Sequence, residues 1–211
     1  MKTVYEYSHL GGAEILQVRY PEILRDIDEV IAGIGGDLRT KKSKERTKAG
    51  KMLYSPVLLN RLFREGLNQR GFTEKRAPFA VELPNYPVKI RNAFKQIDFA
   101  RGGVLVEVQF GKYAFMFYDM AKFQYFFNDE KAEVGVEIVP CRNLQREMSS
   151  GVSYGEQLVG DILRLRRHFP AVPVKIMLVD VDDAPAPMDS IEEIPEDESV
   201  AADSAFAADE E

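Results

Sequence analysis

The sequence predicts an α/β fold, a three-layer α/β/α sandwich with a mixed central sheet. In the second half of the chain, β-branched runs typical of buried strands alternate with helical segments, which indicates a partly parallel sheet. The first half carries two segments with apolar residues at helical spacing. With 211 residues, 45 % of them hydrophobic, the chain is long enough for one domain with a substantial core.

The amino-terminal half is predicted to contain one strand and two helices. The strand alternates over Val4–His9 and ends at a pair of glycines. Each helix has a proline in its first turn, where the missing N–H is not needed. The helices are predicted over Pro21–Ala32 and Ser55–Gln69, the second with Ser55 as its N-cap. Three prolines in residues 72–90 predict an irregular stretch or short strands there.

The carboxyl-terminal half is predicted to alternate strands and helices. A short extended piece and a Gly-Gly turn come first, and three buried strands with two helices between them follow. These segments are Gln96–Phe99, Arg101–Gly103, Val104–Phe110, Tyr113–Phe127, Val134–Pro140, Tyr154–Phe169 and Pro173–Val181. Ser153 and Glu156 have the spacing of a capping box for the second helix.

The net charge of −6 is an average over two unlike parts of the chain. Residues 182–211 carry twelve acidic residues and no basic ones, which leaves 22 acidic and 28 basic residues in 1–181. We expect a folded, basic body over 1–181 and a disordered acidic tail over 182–211, because the tail lacks a sustained apolar period. Such a tail is usually solubilising, and the alternative is a segment that competes with a polyanion for the body.

Several classes of protein are disfavoured by composition. With one cysteine, the chain can form neither a disulfide scaffold nor a zinc site made of cysteines. No apolar run reaches the roughly 18 residues that a membrane span requires. The first twenty residues contain charged side chains where a signal peptide would be apolar. We therefore expect a cytoplasmic protein without a membrane partner. Residues 39–51, here called the basic arm, carry seven bases and one acid. They predict either a solvated surface segment or an arm that contacts phosphates.

A carboxylate in a predicted core strand indicates chemistry. Glu107 and Gln109 lie two residues apart and therefore project from the same face. Because an unpaired buried carboxylate is costly, Glu107 should meet a cation, a donor or a cleft. Asp98 lies nine residues earlier across the Gly-Gly turn, so a hairpin could bring the two carboxylates together as a Mg²⁺ site. Alternatively, Asp98 caps the turn and Glu107 pairs with an arginine.

These residues resemble a known family. Asp98 followed by Glu107-Val-Gln-Phe110 resembles the active-site motif of the PD-(D/E)XK nucleases. The likeness is to the type II restriction endonucleases of the BglII/BstYI group, in which Gln replaces the usual Lys of that motif. Within this group the sequence looks nearer to BstYI. Further blocks of likeness follow the same order along the chain. They are Tyr7-Ser-His-Leu10, Arg39-Thr-Lys41 through Lys51, Leu53-Tyr-Ser-Pro-Val57, Glu107 through Tyr113, Gly135-Val-Glu-Ile138, Glu147-Met-Ser-Ser-Gly151 and Pro170-Ala-Val-Pro173.

The resemblance implies roles for individual residues. Asp98, Glu107 and Gln109 would be catalytic; Asp98, Glu107 and the main-chain carbonyl of Val108 would bind Mg²⁺, and Gln109 would position the attacking water. Gln109 carries neither the charge of a Lys nor the basicity of a Glu, so the metal would have to activate the water and neutralise the phosphate. Residues expected to contact DNA are Lys112, Ser149, Ser150, Ser153, Tyr154, Arg39, Lys41 and Lys42, with Arg164, Arg166 and Arg167 on phosphates.

The resemblance also implies partners and an activity. The nuclease domain would span 1–181, with its catalytic core at about 95–181. It would act as a homodimer on double-stranded DNA, at a palindrome with a GATC core, and leave 5′ overhangs with 5′-phosphates. A cognate DNA methyltransferase would recognise the same site. The alternatives are another PD-(D/E)XK nuclease, for repair or nicking, and a DNA-binding protein without catalysis.

Overall fold

The structure, a computed structural model, describes residues 1–181, and the predicted acidic tail lies outside these residues. Its strands are β1 (Lys2–His9), β2 (Lys41–Lys42), β3 (Met52–Leu53), β4 (Thr73–Glu82), β5 (Lys89–Arg101), β6 (Val104–Val108), β7 (Val134–Pro140) and β8 (Val174–Asp180). Its α-helices are α1 (Gly12–Arg19), α2 (Pro21–Gly33), α3 (Pro56–Gln69), α4 (Tyr113–Asn128), α5 (Arg142–Arg146) and α6 (Gly155–Leu165). A 3₁₀ turn covers Arg46–Lys48.

Within residues 1–181, six strands form one mixed sheet in the order β1-β8-β7-β6-β5-β4. The central strands β6, β7 and β8 are parallel, whereas β1, β4 and β5 pair antiparallel with their neighbours. Every residue of the three parallel strands is buried. Strands covered on both faces need continuous apolar runs, which explains why these three were readable from sequence. Strands β2 and β3 form a separate small hairpin within the chain around the basic arm.

Helices cover both faces of this sheet. On one face, α4 lies so close that a Cβ on Gly135 would come within 2.7 Å of the Phe123 ring, and Gly155 at the start of α6 packs as tightly against β7 and β8. On the other face, Phe63 of α3 contacts Phe110, with ring centroids 5.8 Å apart. The predicted three-layer α/β/α class is therefore confirmed.

The main difference from prediction is the segment that follows α3. Residues 72–90 are not irregular: β4 and most of β5 form a long antiparallel hairpin. Pro78 is tolerated because β4 is the edge strand, and Pro84 and Pro87 fall in the connection between the strands. Helices α1 and α5 were not predicted, and α6 ends at Leu165 instead of continuing to residue 169.

The two predicted helix caps have different outcomes. Ser55 is the N-cap of α3, and its side chain accepts a hydrogen bond from the Leu58 amide at 3.4 Å. The predicted capping box at α6 is wrong, because Tyr154 is the N-cap and no side chain caps it. The Glu156 carboxylate instead accepts the main-chain N–H of Arg142 at 3.0 Å, at the start of α5.

Across residues 1–181, none of the helices has both the length and the apolar character that crossing a bilayer requires.

Candidate active site

The hairpin between β5 and β6 brings two carboxylates together. The strands turn at Gly102 and Gly103, whose φ angles of 58° and 95° suit glycine. Phe99 pairs with Val106, so the next pair away from the turn is Asp98 with Glu107. The main-chain N–H of Asp98 donates to Glu107 Oε1 at 3.4 Å. The structure thus places these residues side by side, as the hairpin argument predicted.

The cation that meets Glu107 is a lysine from helix α4. Lys122 Nζ lies 2.5 Å from Glu107 Oε1 and 2.7 Å from Asp119 Oδ1. Asp119 and Lys122 are three residues apart, so they share the face of α4 that is turned to the sheet. The alternative in which Glu107 pairs with an arginine is therefore not what the structure shows.

A further carboxylate lies next to Glu107 on the neighbouring strand. Glu137 of β7 is the direct partner of Glu107 in the parallel register. It is 0 % exposed, and among the described residues neither of its carboxylate oxygens has a hydrogen-bond partner. Asp98, Glu107, Asp119 and Glu137 are here called the carboxylate cluster; Lys122 pairs with two of them, Glu107 and Asp119.

The pKa values of the carboxylate cluster reflect this shortage of positive charge. Burial, assisted by the charge of Asp119 and opposed by Lys122, raises the pKa of Glu107 to about 8. Burial likewise raises the pKa of Asp119, and it raises the pKa of Glu137 well above 4.5. Burial alone would lower the pKa of Lys122, but Glu107 and Asp119 outweigh it and raise that pKa.

This donor set suits a hard divalent cation. Asp98 and Glu107 offer carboxylate oxygens, the ligands that Mg²⁺ prefers, in a cluster of four carboxylates that has one ammonium group beside it. The unpartnered oxygens of buried Glu137 point to the same deficit. In residues 1–181 no group of three or more Asp, Glu, His or Cys side chains is arranged so that it could hold a metal ion. The residues therefore fit an ion held by one or two carboxylates together with water and phosphate.

Gln109 lies immediately after β6, on the same side of the sheet as Glu107. Its main-chain N–H donates to the Ile138 carbonyl at 2.9 Å, which continues the β6–β7 ladder past the last assigned residue. Its side-chain Nε2 donates to Asp119 Oδ2 at 3.2 Å. Asp119 thus connects Gln109 to the carboxylate cluster.

The predicted base-reading residues are in one region. Lys112 is exposed and forms the N-cap of α4. The adjacent Gly111 carbonyl accepts the N–H of Ser153 at 2.8 Å, which ties the loop over residues 149–154 to the chain that follows β6. Within this loop Ser150 is exposed, and the guanidinium of Arg142 lies 5.1 Å from the centre of the Tyr154 ring.

The basic arm packs against the segment that leads into this loop. Arg39 and Lys51 pair with the Glu147 carboxylate at 2.6 and 2.8 Å, and Lys41 Nζ lies 2.5 Å from Ser149 Oγ. Lys48 donates to two main-chain carbonyls of the same segment, each at 2.7 Å. The arm is thus held in place by these contacts.

The remaining bases of the arm point outward. Lys42, Lys44 and Arg46 are exposed, and within residues 1–181 their side chains have no hydrogen-bond or ion-pair partner. The other proposed phosphate contacts, Arg164, Arg166 and Arg167, are exposed at the end of α6.

Sequence reasoning missed Asp119, Lys122 and Glu137. The signal for Glu137 was the same as for Glu107, a lone acid within an otherwise apolar run. The signal for the other two was a pair of charges three residues apart in the aromatic helix α4.

Comparisons with known proteins bear on the fold and the family of the chain. A family model described as restriction endonuclease BglII/BglIII matches residues 4–178. A crystal structure of restriction endonuclease BglII complexed with a DNA 16-mer has a TM-score of 0.69 and 22 % identity, over 86 % of this chain and 79 % of that one. Free BglII has a TM-score of 0.61 and 19 % identity, over 87 % and 82 %. No curated protein sequence matches significantly. The family match covers most of the chain and confirms the resemblance: the chain belongs to the BglII/BglIII family of restriction endonucleases.

Proposed function

We propose that this restriction endonuclease is a Mg²⁺-dependent type II enzyme that cleaves double-stranded DNA at a palindrome with a GATC core, of the RGATCY or AGATCT kind. Cleavage would leave 5′ overhangs with 5′-phosphates. The observation that carries this proposal is the juxtaposition of Asp98 and Glu107 beside Gln109, in a cluster with more carboxylates than Lys122 can balance. The structure of BglII bound to DNA supports the choice of substrate.

In this proposal, Asp98, Glu107 and the main-chain carbonyl of Val108 hold the Mg²⁺ ion. When bound, the ion supplies positive charge for the scissile phosphate and lowers the pKa of the attacking water. Gln109 accepts a hydrogen bond from that water and aims it in line with the P–O3′ bond. As the new P–O bond forms and the P–O3′ bond breaks, the water loses a proton to solvent and O3′ gains one. The products are a 5′-phosphate and a 3′-hydroxyl.

Recognition is divided between two groups of residues. Lys112 and the loop with Ser149, Ser150, Ser153 and Tyr154 read base edges in the major groove, where a lysine can donate to guanine O6 and N7. The basic arm, with Arg39, Lys41 and Lys42, and the arginines after α6 contact phosphates and fix the register without reading sequence. Both groups lie within the nuclease domain that we assign to residues 1–181, with its catalytic core at about 95–181.

We further propose that the enzyme acts as a symmetric homodimer. Phe115 and Tyr118 of α4 are 54 % and 45 % exposed, and two large aromatic side chains on one helix suit a subunit interface. A two-fold dimer presents two cleavage sites related by the symmetry of a palindrome. A cognate methyltransferase that modifies the same sequence would protect the host DNA in the cytoplasm.

The test of specificity is digestion of unmethylated plasmid of known sequence with Mg²⁺, followed by mapping of the fragment ends. We expect discrete fragments whose ends share GATC and carry 5′-phosphates. Nicks or a smear would instead indicate a nuclease of another purpose, and intact plasmid with a persistent gel shift would indicate binding without catalysis.

Asp98→Asn and Glu107→Gln test the metal-binding assignment. Each change removes the charge that would hold the ion but keeps the shape of the side chain. We expect specific DNA binding to persist while single-turnover cleavage falls by roughly three orders of magnitude, about 4 kcal/mol of barrier. Gel shifts and rapid quench with Mg²⁺ measure the two effects.

The matched controls are Asp129→Asn and Glu82→Gln, which remove exposed carboxylates that pair with Lys131 and Lys89 away from the carboxylate cluster. Both controls should cleave like the wild type. A wild-type cleavage rate in Asp98→Asn or Glu107→Gln would refute the assignment.

A further inference from the structure

The side chain of Gln109 has two ends with opposite hydrogen-bonding roles: Oε1 accepts and Nε2 donates. We propose that Asp119 is a positioning residue that fixes this amide, so that Oε1 and not Nε2 is presented to the attacking water. The inference rests on the proposed function, in which Gln109 positions that water.

The contacts of Asp119 determine which end of the amide faces it. Asp119 Oδ1 lies 2.7 Å from Lys122 Nζ, and Oδ2 accepts from Gln109 Nε2 at 3.2 Å. The residue is 2 % exposed, so its oxygens depend on these protein donors. An ionised carboxylate can only accept, so a reversed amide would set Oε1 against Oδ2 without a hydrogen between them. Asp119 therefore selects one orientation of Gln109.

The opposite side of the amide is shaped by Gly111. A Cβ built at this glycine would collide with Gln109 Oε1, whereas the Gly111 backbone lies outside the left-handed region. Glycine here leaves Oε1 the space that it occupies, and a methyl group would push this end of the Gln109 side chain aside. Asp119 fixes Nε2, and the absence of a Cβ at Gly111 lets Oε1 lie in the position that results.

The orientation matters because of the geometry of attack. A water that donates a hydrogen to Oε1 keeps a lone pair free to approach phosphorus. A water that accepts from Nε2 has a lone pair engaged and a proton closer to the phosphate. Since misplacing a reacting group by about 1 Å can cost about 100-fold in rate, the effect of a reversed amide should be clearly measurable.

Asp119→Asn is the decisive change. Lys122 can only donate, so the Asn oxygen must stay toward it and the Asn NH₂ group then faces Gln109. Gln109 should reverse and present Nε2 to the water. We expect single-turnover cleavage to fall about 100-fold, with little change in DNA affinity or melting temperature.

Gln109→Glu should be similarly impaired in the wild-type background, because two carboxylates would then face each other at Asp119. In the background of Asp119→Asn the Asn NH₂ group can donate to the new carboxylate, which presents its other oxygen to the water. We expect the double variant to cleave at least ten-fold faster than either single variant. A purely structural role of Asp119 would not produce this rescue.

A spectrum of the metal-free protein gives a readout that is independent of cleavage. In ¹⁵N-labelled protein, the side-chain NH₂ signals of Gln109 are identified by their loss in Gln109→Glu. One proton should lie downfield in the wild type because it bonds to a carboxylate, and this shift should disappear in Asp119→Asn. Gly111→Ala should also move these signals and slow cleavage, since the new methyl group displaces Oε1.

The control is Asp129→Asn, which follows the same helix and pairs with Lys131 at the surface; it should change neither readout. Wild-type cleavage by Asp119→Asn, absence of rescue, or an unchanged amide spectrum would overturn the inference. If the wild-type chain itself left DNA intact, the proposed function would fail, and the amide spectrum would still decide whether Asp119 orients Gln109.

Discussion

At the scale of single residues, the site is defined by an imbalance of charge. Four acids converge where α4 meets the sheet, and among residues 1–181 Lys122 is the base that pairs with two of them, Glu107 and Asp119. Burying carboxylates without enough counter-charge costs stability, and the raised pKa values of Glu107 and Glu137 are the expression of that cost. Such strain is common at functional sites, where stability is given up for chemistry.

The variant Glu137→Gln tests this cost, because it changes how the free energy of unfolding depends on pH. Burial raises the pKa of Glu137 well above its ordinary value of 4.5, so the folded protein holds this proton to higher pH than the unfolded chain does. The stability contribution is complete below about pH 4.5 and is lost as pH rises toward the folded pKa. We expect the free energy of unfolding between pH 5 and 8 to decrease less in Glu137→Gln than in wild type, by at most about 1.4 kcal/mol per pH unit.

Urea unfolding of the metal-free protein at several pH values measures this difference. An unsatisfied Gln amide would lower stability equally at every pH, so the comparison uses slopes and not absolute values. Glu82→Gln, an exposed carboxylate paired with Lys89, should follow the wild-type slope. Parallel curves for Glu137→Gln and wild type would contradict the assignment of a buried, partnerless acid.

At the scale of elements, the helices and strands that could be predicted were those whose sequence pattern allowed one interpretation. Strands β7 and β8 and helices α3 and α4 lie within about two residues of their predicted bounds, because continuous apolar runs and proline or serine starts leave little ambiguity. The β4–β5 hairpin was missed because prolines were weighted as strand breakers. They break central strands, but sequence alone does not reveal which strand will be at an edge.

The residues of the candidate site also fall into those that the sequence predicted and those that it did not. Asp98 and Glu107 were predictable as neighbours because a short hairpin fixes register locally. Asp119 and Lys122 were not, since the rotation of α4 about its axis depends on how Phe123 packs over Gly135 on another strand. Local contacts were predictable and contacts between layers were not.

The basic arm combines two functions that the sequence could not separate. Its inner bases contact residues 146–149, at the start of the loop, and its outer bases are the ones that we propose contact phosphates. Replacing the outer three, Lys42, Lys44 and Arg46, by Ala should weaken binding to specific and nonspecific DNA alike. The slope of log K against log salt should become shallower by about one for each lost phosphate contact, as counterion release requires. Binding titrations at several salt concentrations measure the slope.

Lys51→Ala is the contrasting variant for the arm, because Lys51 pairs with Glu147 at 2.8 Å. Its loss should loosen the segment leading into the loop and weaken specific binding more than nonspecific binding. An unchanged salt slope in the triple variant would show that the outer bases do not contact phosphates.

At the scale of the whole molecule, one loop connects binding and cleavage. The Ser153 N–H bonds the Gly111 carbonyl next to Gln109, and the Ser150 N–H bonds the Glu45 carboxylate of the basic arm at 3.0 Å. The Tyr54 N–H also bonds the Glu147 carbonyl at 3.0 Å. The loop that we propose reads bases is therefore attached on one side to the end of β6, where Glu107 and Gln109 lie, and on the other to the basic arm. A base contact that shifts the loop would therefore act on the chain beside Gln109 through the hydrogen bond between Ser153 and Gly111.

The charge of residues 182–211 leads to a prediction about DNA binding by the whole chain. They reverse the net charge of a basic body, so they should repel DNA at long range. At about 10 mM salt the Debye length is about 30 Å, and we expect a chain that ends at Val181 to bind DNA faster than the full chain. At 0.15 M the length is about 8 Å, and the two should cleave within about two-fold of each other. Stopped-flow binding and plasmid cleavage at both salt concentrations measure this.

Direct competition between the acidic residues and DNA predicts a different result, because a segment in contact with the basic body is screened much less than a distant charge. In that case the shortened chain would stay more active at 0.15 M. A full-length variant with the twelve acidic residues changed to Asn or Gln separates charge from chain length, and it should behave like the shortened chain at both salt concentrations. If neither variant differed from the wild type at 10 mM, the acidic residues would have no electrostatic effect on DNA binding.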